Sequence, residues 1–501
     1  MLEEIGVVGS FSSPPTHMSF EVELRDDVDV WVGDFVEVPS AHGAIIGRIV
    51  SIASENEYFR NPSFVKDHLI LGETAMLRYK SKYGRYNIAK VNVLGVLRRR
   101  HGMTELLPPI APPEPGSTVY RPSEMSLKAM LGISDEGVFL GTLWGRDDIK
   151  IMLNIDLLVR HHVAIIGATG SGKSYACGVL VEELLEHGVP VVIFDPHGEY
   201  RTMCQPNFRE MEMLKRFGLS PTGLAVKILS PVDDEVSDAK LSISINDLGP
   251  EGIAELCGMS ETQEDLIYLA FRKASEEYDG EISVDDLDSM VVDVAQEYGF
   301  LSSTVLAVRR RLSVLSELGI IGDPLDPRSL VELGKVSIID LSVPIPERAR
   351  RALVGAVLKK LFSARREDVV PPLMVVIEEG HRFAPQDEDA FSKRAIRMIA
   401  REGRKFGMGL CIASQRVVGL DKDVFSQCGT MMIMKVTCAT DLAFLKPFIE
   451  ASGEAERLPF LPRGVCVLSS ICLHAPILLK VRPRKSMHGG GGKPIIVGDE
   501  P

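Results

Sequence analysis

Gly167-Ala168-Thr169-Gly170-Ser171-Gly172-Lys173-Ser174 matches the phosphate-loop pattern G-x-x-x-x-G-K-[ST] at every fixed position. The residues before it, Val163-Ala164-Ile165-Ile166, are small or β-branched and apolar, as a buried parallel strand requires. After it, from Tyr175 onward, Val179, Leu180, Val181, Leu184 and Leu185 recur at helical spacing. The loop therefore joins a strand to the first turn of a helix. In that position its glycines let backbone amides approach phosphate oxygens, and the helix N-terminus adds partial positive charge. Residues Gly167, Ala168, Thr169, Gly170, Ser171, Gly172, Lys173, Ser174 and Tyr175 are the expected nucleotide-binding set. Lys173 is expected at the β- and γ-phosphate oxygens, and the Ser174 hydroxyl on Mg²⁺. A Gly-rich turn that meets the pattern by chance is the competing reading, and the flanking strand and helix weigh against it.

Three later strands supply the remainder of such a site. Val189 to Asp195 is a buried strand ending in an acid, followed by Pro196-His197-Gly198-Glu199-Tyr200. Ligands of parallel α/β sheets sit at the carboxyl ends of the strands, which brings Asp195 and Glu199 beside the nucleotide; Asp-Pro-His-Gly also reads simply as a turn. Leu373-Met374-Val375-Val376-Ile377 runs into Glu378 and Glu379, the second acidic half of a P-loop ATPase. One acid, Glu378, is expected in the Mg²⁺ shell, and Glu379 as the general base that polarises water. Gly407 to Gln415 is the next strand, ending in a glutamine placed to sense the γ-phosphate or orient water. Between the last two strands, Asp389 to Phe406 reads as a helix dense in cations, with Lys393, Arg394, Arg397, Arg401, Arg404 and Lys405. An arginine there is a candidate finger into a neighbour's ATP, worth roughly 10³ to 10⁵ in rate; the plainer reading is a basic helix balancing Asp387-Glu388-Asp389.

The bulk numbers narrow the class. A chain of 501 residues holds two or three domains with a large core. At 45% hydrophobic and 25% charged residues it is globular rather than disordered. The net charge of −13 excludes a generally basic nucleic-acid binder, so any grip on DNA must be local, in a groove or channel. Apolar runs are too short to cross a bilayer, and the acidic start Met1-Leu2-Glu3-Glu4 has no secretory h-region. The eight cysteines are scattered without a C-x-x-C pair, as for reduced, buried thiols in a cytoplasmic protein.

The chain orders itself into an α/β protein: a RecA-like P-loop ATPase core with an N-terminal small β-barrel and an inserted helical bundle. Residues 1–106 show short strands at Ile5–Val8, Phe20–Leu24, Val28–Val38, Ala44–Ala53 and Tyr86–Leu97, which suggest a small closed barrel acting in assembly or docking. Residues 107–122 are a Pro-rich linker. The core is expected over 123–202 and again over 333–484, split by a helical insertion at 203–332 that loses the strand signal. Ser260-Glu261-Thr262-Gln263 is a capping box within it. The tail, 485–501, is too Gly-rich to pack alone.

With these pieces placed, the chain resembles the HerA family, within the HerA/FtsK group of ring-forming P-loop ATPases. The match rests on 167–174, on Asp-Pro-His-Gly-Glu-Tyr at 195–200, on Val-Val-Ile-Glu-Glu-Gly-His-Arg-Phe at 375–383, and on Arg-Glu-Gly-Arg-Lys-Phe-Gly with Ala-Ser-Gln-Arg across 401–416. Leu461-Pro462-Arg463-Gly464 resembles the group's late sheet signature. The resemblance implies a homohexamer that translocates double-stranded DNA using ATP and Mg²⁺, with no membrane association. In archaea such rings work with a NurA-type nuclease in resecting broken ends. It also implies that the barrel docks the nuclease and that the tail braces neighbouring subunits. Carried over by motif, Lys173, Glu379, Glu378, Gln415 and Asp195 are catalytic candidates, with Arg404 ahead of Arg401 as the finger. Glu378 departs from the aspartate of many relatives. Arg382 and Lys393-Arg394 are candidate pore cations. Two other functions compete: a ring motor remodelling proteins, which the acidic charge favours, and a nucleotide-gated clamp, which has no need of a water-activating acid.

Overall fold

A computed structural model describes residues 2–56, 59, 62–71, 85–100, 103–233, 235–317, 319–449 and 455–489. Two compact units emerge, the first built mainly from residues 1–134 and the second from most of the remainder.

The first unit is a closed barrel. Its strands are β1 (Glu4–Gly9), β2 (Ser19–Leu24), β3 (Phe35–Ser40), β4 (Gly43–Asn56), β5 (Arg85–Arg100), β6 (Met103–Leu107) and β7 (Thr118–Tyr120). They hydrogen-bond in the order β2-β1-β7-β3-β4-β5-β6, and a further β2–β5 pairing closes six of them into a ring. Alternation sends Val22, Val36, Val38, Ile45, Val91 and Val119 inward to a fully buried core. Register shifts at Ile46/Gly47 and Ile49/Ser51 bend the long β4–β5 ribbon so that it can close. The stretch Val28–Val38 does not form one strand. Asp34 accepts from the Trp31 amide at 2.9 Å and Gly33 takes φ 99°, so a turn replaces its first half. The stretch expected to be only a linker contributes β7, whose Tyr120 pairs with both β1 and β3.

The other sheet has twelve strands and lies almost wholly in the second unit. Its strands are β8 (Val138–Leu143), β9 (Arg146–Leu153), β10 (Val163–Ile166), β11 (Val191–Asp195), β12 (Val226–Ser230), β13 (Ala239–Lys240), β14 (Val336–Asp340), β15 (Leu373–Ile377), β16 (Met408–Ser414), β17 (Thr430–Ile433), β18 (Val465–Ser470) and β19 (Ile477–Val481). The order is β13-β12-β14-β11-β15-β16-β10-β17-β18-β19-β8-β9. The pairs from β13 to β17 are parallel, and β17–β18, β18–β19 and β19–β8 are antiparallel. Strands β10, β11, β14, β15 and β16 are buried along their whole length, which is why they read as unbroken apolar runs.

The segment 203–332, expected to be helical, is corrected at one point: β12 lies inside it and adds to the sheet beside β14. Lys227 interrupts its apolar run, reaching the Ser329 carbonyl at 2.7 Å and Glu332 at 3.1 Å, so the strand signal is diluted. Helices at Ile245–Cys257, Glu261–Glu277, Val284–Tyr298 and Ser302–Glu317 follow, and the Ser260–Gln263 capping box is present. No helix among the described residues is long and apolar enough to cross a membrane.

Of the segment 485–501, expected to be too Gly-rich to pack alone, residues 490–501 lie outside the described residues, whereas Lys485 and Ser486 pack within the chain. Arg482, Arg484, Lys485 and Ser486 are buried against the helix Lys173–Glu186 of their own chain. Arg482 donates to Glu182 at 2.9 Å and to Glu183 at 2.8 Å, both carboxylates being themselves buried. The amides of Lys485 and Ser486 add bonds to Glu182 at 3.0 and 2.8 Å. Composition hid this because the glycines begin only at Gly489, beyond the buried basic residues. Removing one partner of a buried pair leaves an uncompensated charge. Arg482→Ala is therefore expected to destabilise the fold by about 3–5 kcal/mol. Chemical denaturation of the nucleotide-free protein checks it, and an unchanged midpoint refutes the clamp.

Candidate nucleotide site

Strand register converges the motifs. Ile166 pairs with Ser414 of β16 and Ile433 of β17; Ile377 pairs with Ile412; Phe194 pairs with Ile377. The phosphate loop, Asp195, Glu378-Glu379 and Gln415 thus leave four neighbouring strands at one carboxyl edge. They surround a cavity of about 420 Å³.

The loop is held by its backbone. The Gly167 amide donates to the Ser414 carbonyl at 3.3 Å and the Ala168 amide to the Lys435 carbonyl at 2.8 Å. Gly172, at φ 110°, turns the chain into the helix that begins at Lys173. The Lys173 ammonium rests on the Ala168 carbonyl at 3.3 Å. Burial lowers its proton affinity, while Glu379, Glu378 and Glu199 oppose that loss.

Glu379 is strained. It sits in left-handed backbone, φ 51° and ψ 45°, at the N-cap of the short helix Gly380–Phe383. Thr169 Oγ1 donates to Gln415 Oε1 at 2.6 Å, and Gln415 Nε2 donates to Glu379 Oε2 at 3.4 Å. A polar chain therefore runs from the phosphate loop through Gln415 to Glu379. His381 Nδ1 lies 3.3 Å from Glu379 Oε2 and 3.1 Å from Ser414 Oγ. Burial, the largest influence, holds His381 below its ordinary value, with Arg382, Arg416 and Lys173 adding to it against Glu379.

Glu378 is buried and accepts a hydrogen bond from the Tyr200 hydroxyl. Burial, reinforced by Asp195 and Glu199, pushes its carboxyl up to about 7 against the pull of Tyr200 and Lys173. Asp195 lines the same cavity but spends its oxygens on its own turn, accepting from the amides of His197, Gly198 and Tyr200 at 2.9–3.1 Å. Its burial raises its proton affinity and those amides lower it. Ser174 and Glu378 face one cavity as hydroxyl and carboxylate oxygens, a hard donor set that suits Mg²⁺. Among the described residues no group of three His, Cys, Asp or Glu could hold a metal unaided. Such a set suits an ion that takes its remaining ligands from phosphates and water.

Arg401 and Arg404 do not line this cavity; both are exposed on the helix Phe391–Phe406. Arg401 is engaged with Asp423 at 3.0 Å, whereas Arg404 has no ion pair among the described residues. Lys393 is buried 3.4 Å from Asp421, which removes it from the candidate pore cations, and Arg382 is paired with Glu347. Sequence reasoning assigned no role to Tyr200, His381, Arg463 or His488. The first three stand in quoted motifs, where that signal was available; His488 carries no pattern.

Fold and cavity together define a RecA-like P-loop ATPase. Residues 138–361 match the family model described as Helicase HerA, central domain, in agreement with the resemblance read from the motifs. The chain is 27% identical to the probable helicase MJ1565 of Methanocaldococcus jannaschii, over 92% of this chain and 88% of that protein. It is 26% identical to the DNA double-strand break repair helicase HerA of Pyrococcus furiosus, over 98% and 94%. Among solved structures it is similar to the plasmid coupling protein TrwB in complex with ADP and Mg²⁺. There the TM-score is 0.50 at 15% identity, covering 72% of this chain and 94% of that one.

The raised Glu378 sets a pH dependence. Its folded-state value of about 7 exceeds the ordinary 4.5. The folded protein therefore holds an extra proton between those values, and stability from this group falls as pH rises across that window. Glu378→Gln is expected to stabilise the nucleotide-free fold at pH 8 by on the order of 1–3 kcal/mol and to flatten the slope. Denaturation at pH 5 and pH 8 reads it; equal slopes in both proteins contradict it.

Proposed function

We propose that this protein is an ATP-driven, hexameric double-stranded DNA translocase and helicase that acts with a NurA-type nuclease in resecting broken DNA ends. The observation that carries the reading is the convergence of Lys173, Ser174, Glu378, Glu379 and Gln415 on one cavity, with Arg404 exposed and outside its lining. A clamp has no need of a strained carboxylate linked to the phosphate loop. The repair helicases matched over most of their length support the DNA substrate.

In the proposed cycle the amides of Gly170, Gly172 and Lys173 and the Lys173 ammonium hold the β- and γ-phosphates. Ser174 and Glu378 would hold Mg²⁺, which would supply positive charge to the phosphate oxygens. Glu378 gives up its proton as the cation arrives, so cation binding tightens with rising pH through about 7. Glu379 orients the attacking water and takes its proton, while neutral His381 beside it adds no competing charge. Gln415, released from Thr169 by a γ-phosphate, passes nucleotide state along the strand edge. Arg404 of an adjacent subunit supplies the remaining positive charge at the transferring group. The net charge of −13 confines DNA contacts to a local channel surface.

Lys173→Ala and Glu379→Gln are each expected to abolish ATP turnover, and duplex DNA to stimulate the wild type. A purified ring whose hydrolysis ignores every nucleic acid sinks the DNA reading in favour of a protein motor.

Arg404→Ala is expected to lower turnover by roughly 10³-fold or more. Mixing it with Lys173→Ala subunits should restore part of the activity, because some interfaces then pair an intact loop with an intact arginine. Steady-state ATPase of mixed preparations measures this, and no recovery at any ratio rules out a finger in trans.

A further inference from the structure

Beside the phosphate loop and Tyr175, the lining of the cavity includes His488, one of the last described residues of the chain. Tyr175, one residue past Ser174, is fixed at its hydroxyl, which donates to Glu210 and accepts from the Arg484 amide at 2.7 Å. His488 lies edge-on to that ring, with centroids 5.6 Å apart and planes at 77°. The Arg484 guanidinium stands 5.9 Å over Tyr175 and 3.2 Å from His488 Nδ1. A guanidinium can only donate, so Nδ1 is the acceptor and Nε2 carries the ring proton. Burial, with Arg484 and Arg463, holds the imidazole below its ordinary value, so it is neutral at pH 7. The tail is brought there by the buried Arg482–Glu182 clamp and by Thr202, whose hydroxyl donates to the Met487 carbonyl at 3.0 Å. Gly489 then passes so close to Glu199 that an added Cβ would lie 2.8 Å from its carbonyl oxygen.

We propose that His488, backed by Tyr175, forms the nucleobase subsite of the cavity, so that the tail completes the nucleotide site of its own subunit. The inference rests on the ATP reading and adds the residue that separates a nucleoside triphosphate from a bare triphosphate. A cavity of about 420 Å³ is that of a whole small-ligand site. An aromatic ring with one N–H donor is the chemistry that stacks on, or bonds to, a heteroaromatic base. Phosphates alone give no reason for an aromatic pair there.

The test titrates full-length wild type and His488→Ala, each with Mg²⁺, against a slowly hydrolysed ATP analogue and against inorganic tripolyphosphate. The expected result is about tenfold weaker binding of the analogue and tripolyphosphate affinity within about twofold of wild type, the scale of losing one base contact. Unchanged affinity for the analogue overturns the subsite. Equal losses of both probes overturn it as well, because His488 then serves only the scaffold. Wild-type protein that binds neither probe overturns the nucleotide reading itself, and the subsite with it.

Discussion

Negative charge concentrated without its counterions is the constraint behind this site. Asp195, Glu199, Glu378 and Glu379 leave the ends of parallel strands around one resident ammonium, Lys173. In water such a cluster is cheap; buried, it raises Glu378 to about 7 and raises Asp195 as well. The protein meets part of this cost with turn amides on Asp195 and the Tyr200 hydroxyl on Glu378. The remainder is stored, and a divalent cation with its phosphates releases it. The nucleotide-free protein is thus preorganised against its own stability, as functional sites commonly are.

That arrangement requires a rigid helix behind the phosphate loop, and the clamp from the tail supplies one. Glu182 and Glu183 sit on the helix that starts at Lys173, and their charges are matched by Arg482 and Lys485. The pairs span about 300 residues of sequence. Loop position, helix position and the path of the tail are therefore one structural fact. A ligand that shifts the helix has to shift residues 482–488 too.

The parts of this structure legible in the sequence are those fixed by burial and local geometry. Strands buried on both faces read as apolar runs, so β10, β15 and β16 were placed with the acids and glutamine that follow them. Capping chemistry placed the helix Glu261–Glu277. The misses share one cause, which is side-chain pairing that periodicity does not report. Lys227 disguises β12, the turn at Asp34 shortens a strand, and the Gly-rich composition of the tail gives no sign of the basic residues before it that pair with Glu182. Periodicity reports what a segment does alone. A buried ion pair between residues 182 and 482 leaves no periodic trace.

The same logic separates Arg401 from Arg404. Both lie on the helix Phe391–Phe406, one turn apart, and their sequence context is alike. Arg397 and Arg401 are spent within the subunit, on Asp421 and Asp423. A guanidinium that already has a carboxylate loses that pair when it moves to a phosphate, so its differential contribution shrinks. Arg404 has no such pair among the described residues and faces solvent, so its full charge is available to an approaching site. On the proposed mechanism this makes catalysis conditional on assembly: one subunit holds the phosphates, the acid and the base-side wall, and the last positive charge arrives with its neighbour.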